Sequence, residues 1–182
     1  MTQALLLIDI QNDYFPGGTM ELVGSVEAGA RAEALLQAFR RAGRPIVHIQ
    51  HLATRAGATF FLPGTPGAEL HACVTPLPGE PVFRKHFPNA FRETPLHEHL
   101  RRQDLTQLVI AGMMTHMCID TTTRAAFDLG FQCHLAGDAC ATRDLSRNGV
   151  TVPAAQVQAA FLAALDGTFA RVQTVEDICA RL

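Results

Sequence analysis

The stretch Gly112-Met113-Met114-Thr115-His116-Met117-Cys118 puts a thiol where it can act as a nucleophile. It follows the apolar run Leu108-Val109-Ile110-Ala111, which reads as a buried strand. It precedes Ile119 to Gly130, which reads as a helix stopped by glycine. Cys118 is therefore expected at or near a helix N-terminus, where unpaired N–H groups and the positive end of the helix dipole favour an anion. That placement predicts a depressed thiol pKa and more thiolate at neutral pH. The same N–H groups suit an oxyanion. Two other residues extend the chemistry: Asp9 ends the apolar run Ala4 to Ile8, and Lys85 ends a short strand over Pro81-Val82-Phe83. A nearby ammonium stabilises a thiolate and is itself held by a carboxylate. Lys85 is the chain's only lysine; the other Lys/Arg positions are all arginine.

The elements that must position these residues alternate between strand and helix. Ala4 to Ile8 is uninterrupted in its apolarity, as in a strand covered on both faces of a parallel sheet. Val26 to Ala42 carries Ala28, Ala32, Leu35, Leu36 and Phe39 at helical spacing and stops at Gly43. Strands follow over Pro45 to Ile49, Pro81 to Phe83, Gln107 to Ala111, Gln132 to Ala136 and Phe169 to Val172. Helices are expected over Thr94 to Arg102, Thr151 to Leu165 and Thr174 to Leu182, each opened by a capping threonine. The segment Gly137-Asp138-Ala139-Cys140-Ala141-Thr142 is read as the loop at the carboxyl end of the fifth strand. The alternation predicts a single-domain, doubly wound α/β fold over residues 1–182. In such a sheet all parallel strands point their carboxyl ends to one side, so Asp9, Lys85 and Cys118 converge on one edge.

Composition narrows the function classes. The chain has 182 residues, 48% hydrophobic and 18% charged, with a formal net charge of −2. That balance supplies no basic field for nucleic acid or acidic lipid. One tyrosine and no tryptophan leave little for base stacking. No apolar run is long enough to span a bilayer, and residues 1–10 lack the pattern of a signal peptide. Five cysteines, odd in number and without a CxxC pair, fit a reducing, cytoplasmic setting. The region Thr54 to Pro81 is long, rich in proline and glycine, and carries Phe60, Phe61 and Leu62. Loops of this length are usually functional, and its aromatics suit a pocket wall, a subunit contact or core anchoring. His48 and His51 are three apart and point to opposite faces of a strand, and His97 and His99 share no helix face. No pair of histidines therefore has metal-ligand spacing, and no metal is expected.

The run Asp9-Ile10-Gln11-Asn12-Asp13 with Phe15-Pro16-Gly17-Gly18, then Lys85, then Gly112 to Cys118, resembles the isochorismatase-like cysteine hydrolase superfamily, which includes nicotinamidases and carbamoylsarcosine amidohydrolase. The likeness runs in order along nearly the whole chain. It implies a six-stranded, mostly parallel sheet with helices on both faces, and a homodimer or homotetramer. It implies a catalytic triad of Asp9, Lys85 and Cys118. It also implies a cis peptide between Met113 and Met114, with the backbone N–H groups of Met114 and Cys118 as oxyanion hole. Asn12, Phe15, Phe60, Phe61 and His116 are the candidate substrate-binding residues. Where nicotinamidases resemble an Asp-x-His metal pair after the second strand, this chain has His51 and Ala53. The expected chemistry is hydrolysis of a small amide or related C–N acyl bond through a thioester, with no organic cofactor. Cleavage of a vinyl ether C–O bond with Asp9 as acid is the alternative reaction. A non-catalytic thiol sensor or ligand-binding protein on the same scaffold is the alternative class.

Overall fold

In the computed structural model, residues 2–182 are described. The chain is built outward from β1 (Thr2–Ile8). Its alternate residues point to opposite faces, and both faces are covered: Leu5 and Leu7 join one apolar cluster, and Ala4, Leu6 and Ile8 join another. This double burial is why the run shows no polar alternation. β2 (Ile46–His51) and β3 (Val82–Lys85) continue the sheet on one side of β1. β4 (Leu105–Met113), β5 (Gln132–Ala141) and β8 (Arg171–Gln173) continue it on the other. The order is β3-β2-β1-β4-β5-β8 and every pairing is parallel. The chain reverses its direction of travel across the sheet between β1 and β4, and open α/β sheets have a crevice at such a switch.

Helix α1 (Ser25–Arg41) covers one face through Ala28, Ala32, Leu35, Leu36 and Phe39, joined by α5 (Val175–Cys179) through Val175 and Ile178. α2 (Leu96–Arg102), α3 (Asp120–Asp128) and α4 (Ala154–Leu165) contribute Leu96, Leu100, Ala126 and Leu165 to the other. Among the described residues, no helix is long and apolar enough to cross a membrane.

Several boundaries differ from the sequence reading. β5 extends through Ala141, so the expected loop Gly137 to Thr142 is mostly strand. Between Ile110↔Leu135 and Gly112↔Cys140, five steps on β5 face two on β4, and this bulge lets the strand resume pairing past Gly137. Thr151 does not cap α4. It lies in β7 (Val150–Val152), which pairs antiparallel with β6 (Leu145–Arg147). Asn148 and Gly149 turn this hairpin with φ of 51° and 77°, the conformation an Asn-Gly turn favours. α4 is capped from across the hairpin, where Ala154 N donates to Asp144 Oδ1 at 2.7 Å. α2 starts two residues later than expected, at Leu96, because Pro95 takes the cap position. Thr174 does cap α5, accepting from Asp177 N at 3.1 Å.

The centre of the sheet depends on Gly112. Its φ of +135° suits no side chain, and a Cβ there would overlap the Ile8 carbonyl oxygen. β1 and β4 meet at this point, through Ile8↔Gly112, immediately before Asp9 and the cis Met113–Met114 peptide. Gly112→Ala is expected to destabilise the fold by about 3 kcal/mol or more, read from urea unfolding. Gly43→Ala is the control, since a Cβ at Gly43, also at positive φ, meets nothing within 4 Å.

Candidate active site

Three carboxyl ends of the sheet bring three reactive groups together. Asp9 is the first residue past β1, Lys85 is the last residue of β3, and Cys118 follows β4 by five residues. Asp9 holds a left-handed φ of 52° while its N–H donates to Ile49 O at 3.1 Å. Aspartate enters that region more readily than most residues, and backbone strain of this kind gathers at functional sites. Lys85 Nζ lies 2.6 Å from Asp9 Oδ2 and 3.2 Å from Cys118 Sγ. The exposures of Asp9, Lys85 and Cys118 are 0%, 1% and 5%.

The ammonium has three protons and three partners. The third is His51, whose Nδ1 lies 2.9 Å from Nζ. Burial first, and then the Lys85 charge, lower the His51 pKa to about 4, so the ring is neutral and accepts this bond. Burial acts to lower the Lys85 pKa, but Asp9 and Cys118 outweigh it and raise it. The Asp9–Lys85 contact is close but poorly angled for a hydrogen bond, which leaves both Asp9 oxygens with acceptor capacity.

The thiol departs from expectation. Cys118 does not open a regular α-helix; it is the fourth residue of a π-helical turn, Thr115–Ile119, that feeds into α3. Its pKa is raised rather than depressed. Burial is the main cause and the Asp9 charge adds to it, with Lys85 opposing both. The resting site is therefore a buried ion pair beside a protonated sulfur. Asp9, His51 and Cys118 each present an atom within 4.8 Å of the others, a geometry a metal ion could use. The Lys85 ammonium already contacts all three, so the space a cation would need is taken.

The backbone around the thiol also differs from a simple strand-to-helix turn. The Met113–Met114 peptide is cis. Met114 O accepts from Met117 N and Ile119 N, at 3.0 and 3.2 Å, while Met114 N–H has no backbone partner among the described residues.

The other candidates separate into two groups. Phe61 is buried at φ 54°, with its ring 5.9 Å from His51, and Phe60 lies 5.0 Å from Phe61. Phe61 thus stands beside the reactive cluster, and Phe60 packs against Phe61. His116 is half-buried on the turn before the thiol, with Nδ1 2.6 Å from Thr142 Oγ1 and its ring against Phe161. Asn12 and Phe15 are occupied elsewhere. Asn12 Nδ2 donates to Pro66 O at 2.8 Å, and Phe15 stacks on His71 at 3.6 Å. Both line a cleft of about 500 Å³ between the Phe15–Gly18 loop and residues 59–67, and none of the reactive trio borders it.

Three residues to which sequence reasoning gave no role at the site hold it in shape. Gln11 joins the strand end to the long loop: its Nε2 donates to His51 O and Ala68 O, and its Oε1 accepts from His51 N. Asp13 accepts from Thr19 N and Oγ1 through one oxygen and from Phe61 N, at 2.6 Å, through the other. Gly67 passes so close to this carboxylate that a Cβ would overlap it. His51 is the third, and its position at a strand end on the reactive side was the available signal.

Comparison with known proteins identifies the family. The isochorismatase domain profile matches residues 3–177. The uncharacterised isochorismatase family protein YddQ of Bacillus subtilis is 48% identical over 97% of this chain and 98% of its own length. A solved isochorismatase-family structure from Oleispira antarctica superposes with a TM-score of 0.94 at 50% identity, covering 98% of this chain and 96% of that one. The ureidoacrylate amidohydrolase RutB of Methylobacterium radiotolerans is 30% identical over 69% of this chain and 62% of its own length. With a buried acid, lysine and thiol converging at the switch point of its sheet, the chain belongs to the isochorismatase family of hydrolases.

Proposed function

We propose that this protein is a cysteine-dependent hydrolase of a small amide or related C–N acyl bond, working through a thioester. The observation that carries the reading is the contact set of Lys85, 2.6 Å from Asp9 and 3.2 Å from Cys118 with all three buried. The amidohydrolase name of one relative supports the choice of bond.

The protonation states order the steps. Asp9, with free acceptor capacity, takes the Cys118 proton as the sulfur attacks the carbonyl carbon. Lys85 keeps its charge throughout and stabilises the thiolate as it forms. The unpaired Met114 N–H and the Cys118 N–H are the proposed donors to the tetrahedral oxyanion. Collapse breaks the C–N bond, the Asp9 proton leaves on the amine, and a thioester remains. Asp9 then deprotonates a water that attacks the thioester. The sulfur leaves and recovers the proton, and the acid is released. Both halves need only the thiol, the carboxylate and the ammonium, so no cofactor enters the scheme.

An ammonia-release screen over a panel of small amides tests the reading. Cys118→Ala is expected to lower turnover at least about 10³-fold, with a thermal midpoint close to wild type. Undiminished turnover by that variant would remove the covalent route. Intact-mass measurement during turnover is expected to show an acyl adduct on the wild-type chain alone.

The His51 environment adds a pH dependence. The native ring holds its proton only below about pH 4, whereas an unperturbed imidazole holds it up to 6.5. Between those values the unfolded chain binds more protons, so stability rises with pH across the window and is lost as pH falls from 6.5 to 4. His51→Gln is expected to flatten the dependence of the thermal midpoint on pH in that window. It does not abolish it, because burial also lowers His48 and His116. An unchanged slope would mean that burial and the Lys85 charge do not hold His51 neutral in the folded chain.

A further inference from the structure

The end of the sheet away from the reactive groups carries a cleft of about 290 Å³ that the proposed hydrolysis does not use. Gln3 of β1, Gln107 of β4, His134 of β5 and Gln173 of β8 line it, drawn from four neighbouring strands. The first three stand near the amino ends of their strands, whereas Asp9, Lys85 and Cys118 lie at or beyond carboxyl ends. Each is followed at strand spacing by residues of the apolar cluster beneath α1 and α5: Leu5 and Leu7 after Gln3, Val109 and Ala111 after Gln107, and Ala136 after His134. The same face of the sheet therefore turns from apolar to polar where those two helices stop. Arg44, three residues past α1, and Arg181, two residues past α5, complete the lining, with Ile178 as its one apolar member.

No carboxylate side chain lines the cleft. Neither guanidinium has an ion pair or side-chain hydrogen bond within the chain, among the described residues, whereas Arg40, Arg102 and Arg124 each meet a carboxylate. Two like charges brought to one cleft repel, and nothing in its lining offsets them. Helix capping does not account for them. Phe39 O and Arg40 O of α1 accept from Arg44 N and Gly43 N, and Ile178 O of α5 accepts from Arg181 N, so backbone groups already take these carbonyls. The other polar groups can donate too. His134 Nδ1 donates to Gln173 Oε1 at 2.9 Å, which leaves the Gln173 NH2 group uncommitted. Gln107 Nε2 donates to Gln132 Oε1 at 2.9 Å and holds the row in place. Gln3 makes no side-chain hydrogen bond within the chain, among the described residues.

We propose that this cleft is a binding site for a phosphate group, free or carried on a small ester. The Arg44 and Arg181 guanidiniums supply the charge, and their planar forks match phosphate oxygens in pairs. The NH2 groups of Gln3 and Gln173 are further donors. Two positive charges with no negative one beside them favour a dianion over chloride or a monocarboxylate. The volume leaves room beyond the phosphate for the alcohol part of a small ester. The site shares no residue with Asp9, Lys85 or Cys118, and it stands whether or not the chain hydrolyses amides.

Isothermal titration calorimetry of the full chain with inorganic phosphate, and separately with glycerol phosphate, tests this, with ionic strength held equal by sodium chloride. Saturable binding of one phosphate group per chain is expected, and the tighter of the two ligands identifies the source of the group. Arg44→Ala and Arg181→Ala are each expected to weaken binding at least about tenfold, the loss of a charge-assisted hydrogen bond. Arg147→Ala, which removes an exposed arginine of β6 outside the cleft, leaves the affinity unchanged. Cys118→Ala does the same, which separates this site from the reactive one. The thermal midpoints of both cleft variants stay near wild type, because neither guanidinium holds a hydrogen bond or ion pair in the chain, among the described residues. Were Arg44→Ala to misfold, Arg181→Ala, at an exposed position, carries the test alone. Absence of saturable binding for both ligands, or an affinity unchanged in Arg181→Ala, overturns the proposal, as does binding that Cys118→Ala abolishes.

Discussion

The structure turns on one buried charge pair. Asp9 and Lys85 sit 2.6 Å apart with essentially no access to solvent. Removing two charges from water is costly, and their attraction repays it only when other polar contacts complete the set. Here the set is completed by His51 and Cys118, which occupy the remaining ammonium protons. Such a pair is weak evidence for stability, since a well-packed apolar pair would serve the fold at least as well. Its retention next to a thiol therefore argues for chemistry. The pair also bears on the resting state of the sulfur: burial and the carboxylate hold its proton in place, and the ammonium opposes them.

Everything around the pair serves to keep it dry and fixed. The parallel topology delivers three strand ends to one edge, and the crossing from β1 to β4 puts the acid and the thiol on adjacent strands. Gly112 lets those strands approach closely enough at that point. Gln11 and Asp13 then tie the long 54–81 segment down over the strand ends, through His51, Ala68 and Phe61. The run Asp9 to Asp13 is thus a reactive group followed at once by the hydrogen bonds that roof it.

Much of this was legible in the amino-acid sequence. Continuous apolar runs identified strands covered on both faces, and strand direction alone placed Asp9, Lys85 and Cys118 on one side. The misses have physical causes. The thiol pKa was inferred from helix position, a local effect, and was overridden by burial and by a carboxylate contributed from more than a hundred residues away. His51 was read as an ordinary strand-end residue without a metal partner, whereas it takes the third proton of Lys85, a long-range relation no spacing rule contains. β6 received no assignment and Thr151 of β7 was read as the cap of the helix that follows, although Asn148-Gly149 is a strong hairpin signal. β5 ran on past its apparent end because a bulge reset its pairing, which the residues Gly137 and Asp138 disguised as a loop. Asn12 and Phe15 were carried by their motif rather than by any evidence of where their side chains point, and they anchor loops.

The account stands or falls on the coupling between Asp9 and the sulfur. The direct measurement is the thiolate ultraviolet absorbance of Cys118 against pH, taken as the difference between each protein and its Cys118→Ala counterpart. In the wild-type chain the thiolate is expected only above the ordinary thiol value of 9.0. In Asp9→Asn, where the opposing carboxylate is gone and Lys85 remains, it is expected at distinctly lower pH, in a protein that no longer turns over amides. Identical titrations in the two proteins would show that the carboxylate does not govern the thiol proton, and would contradict the account.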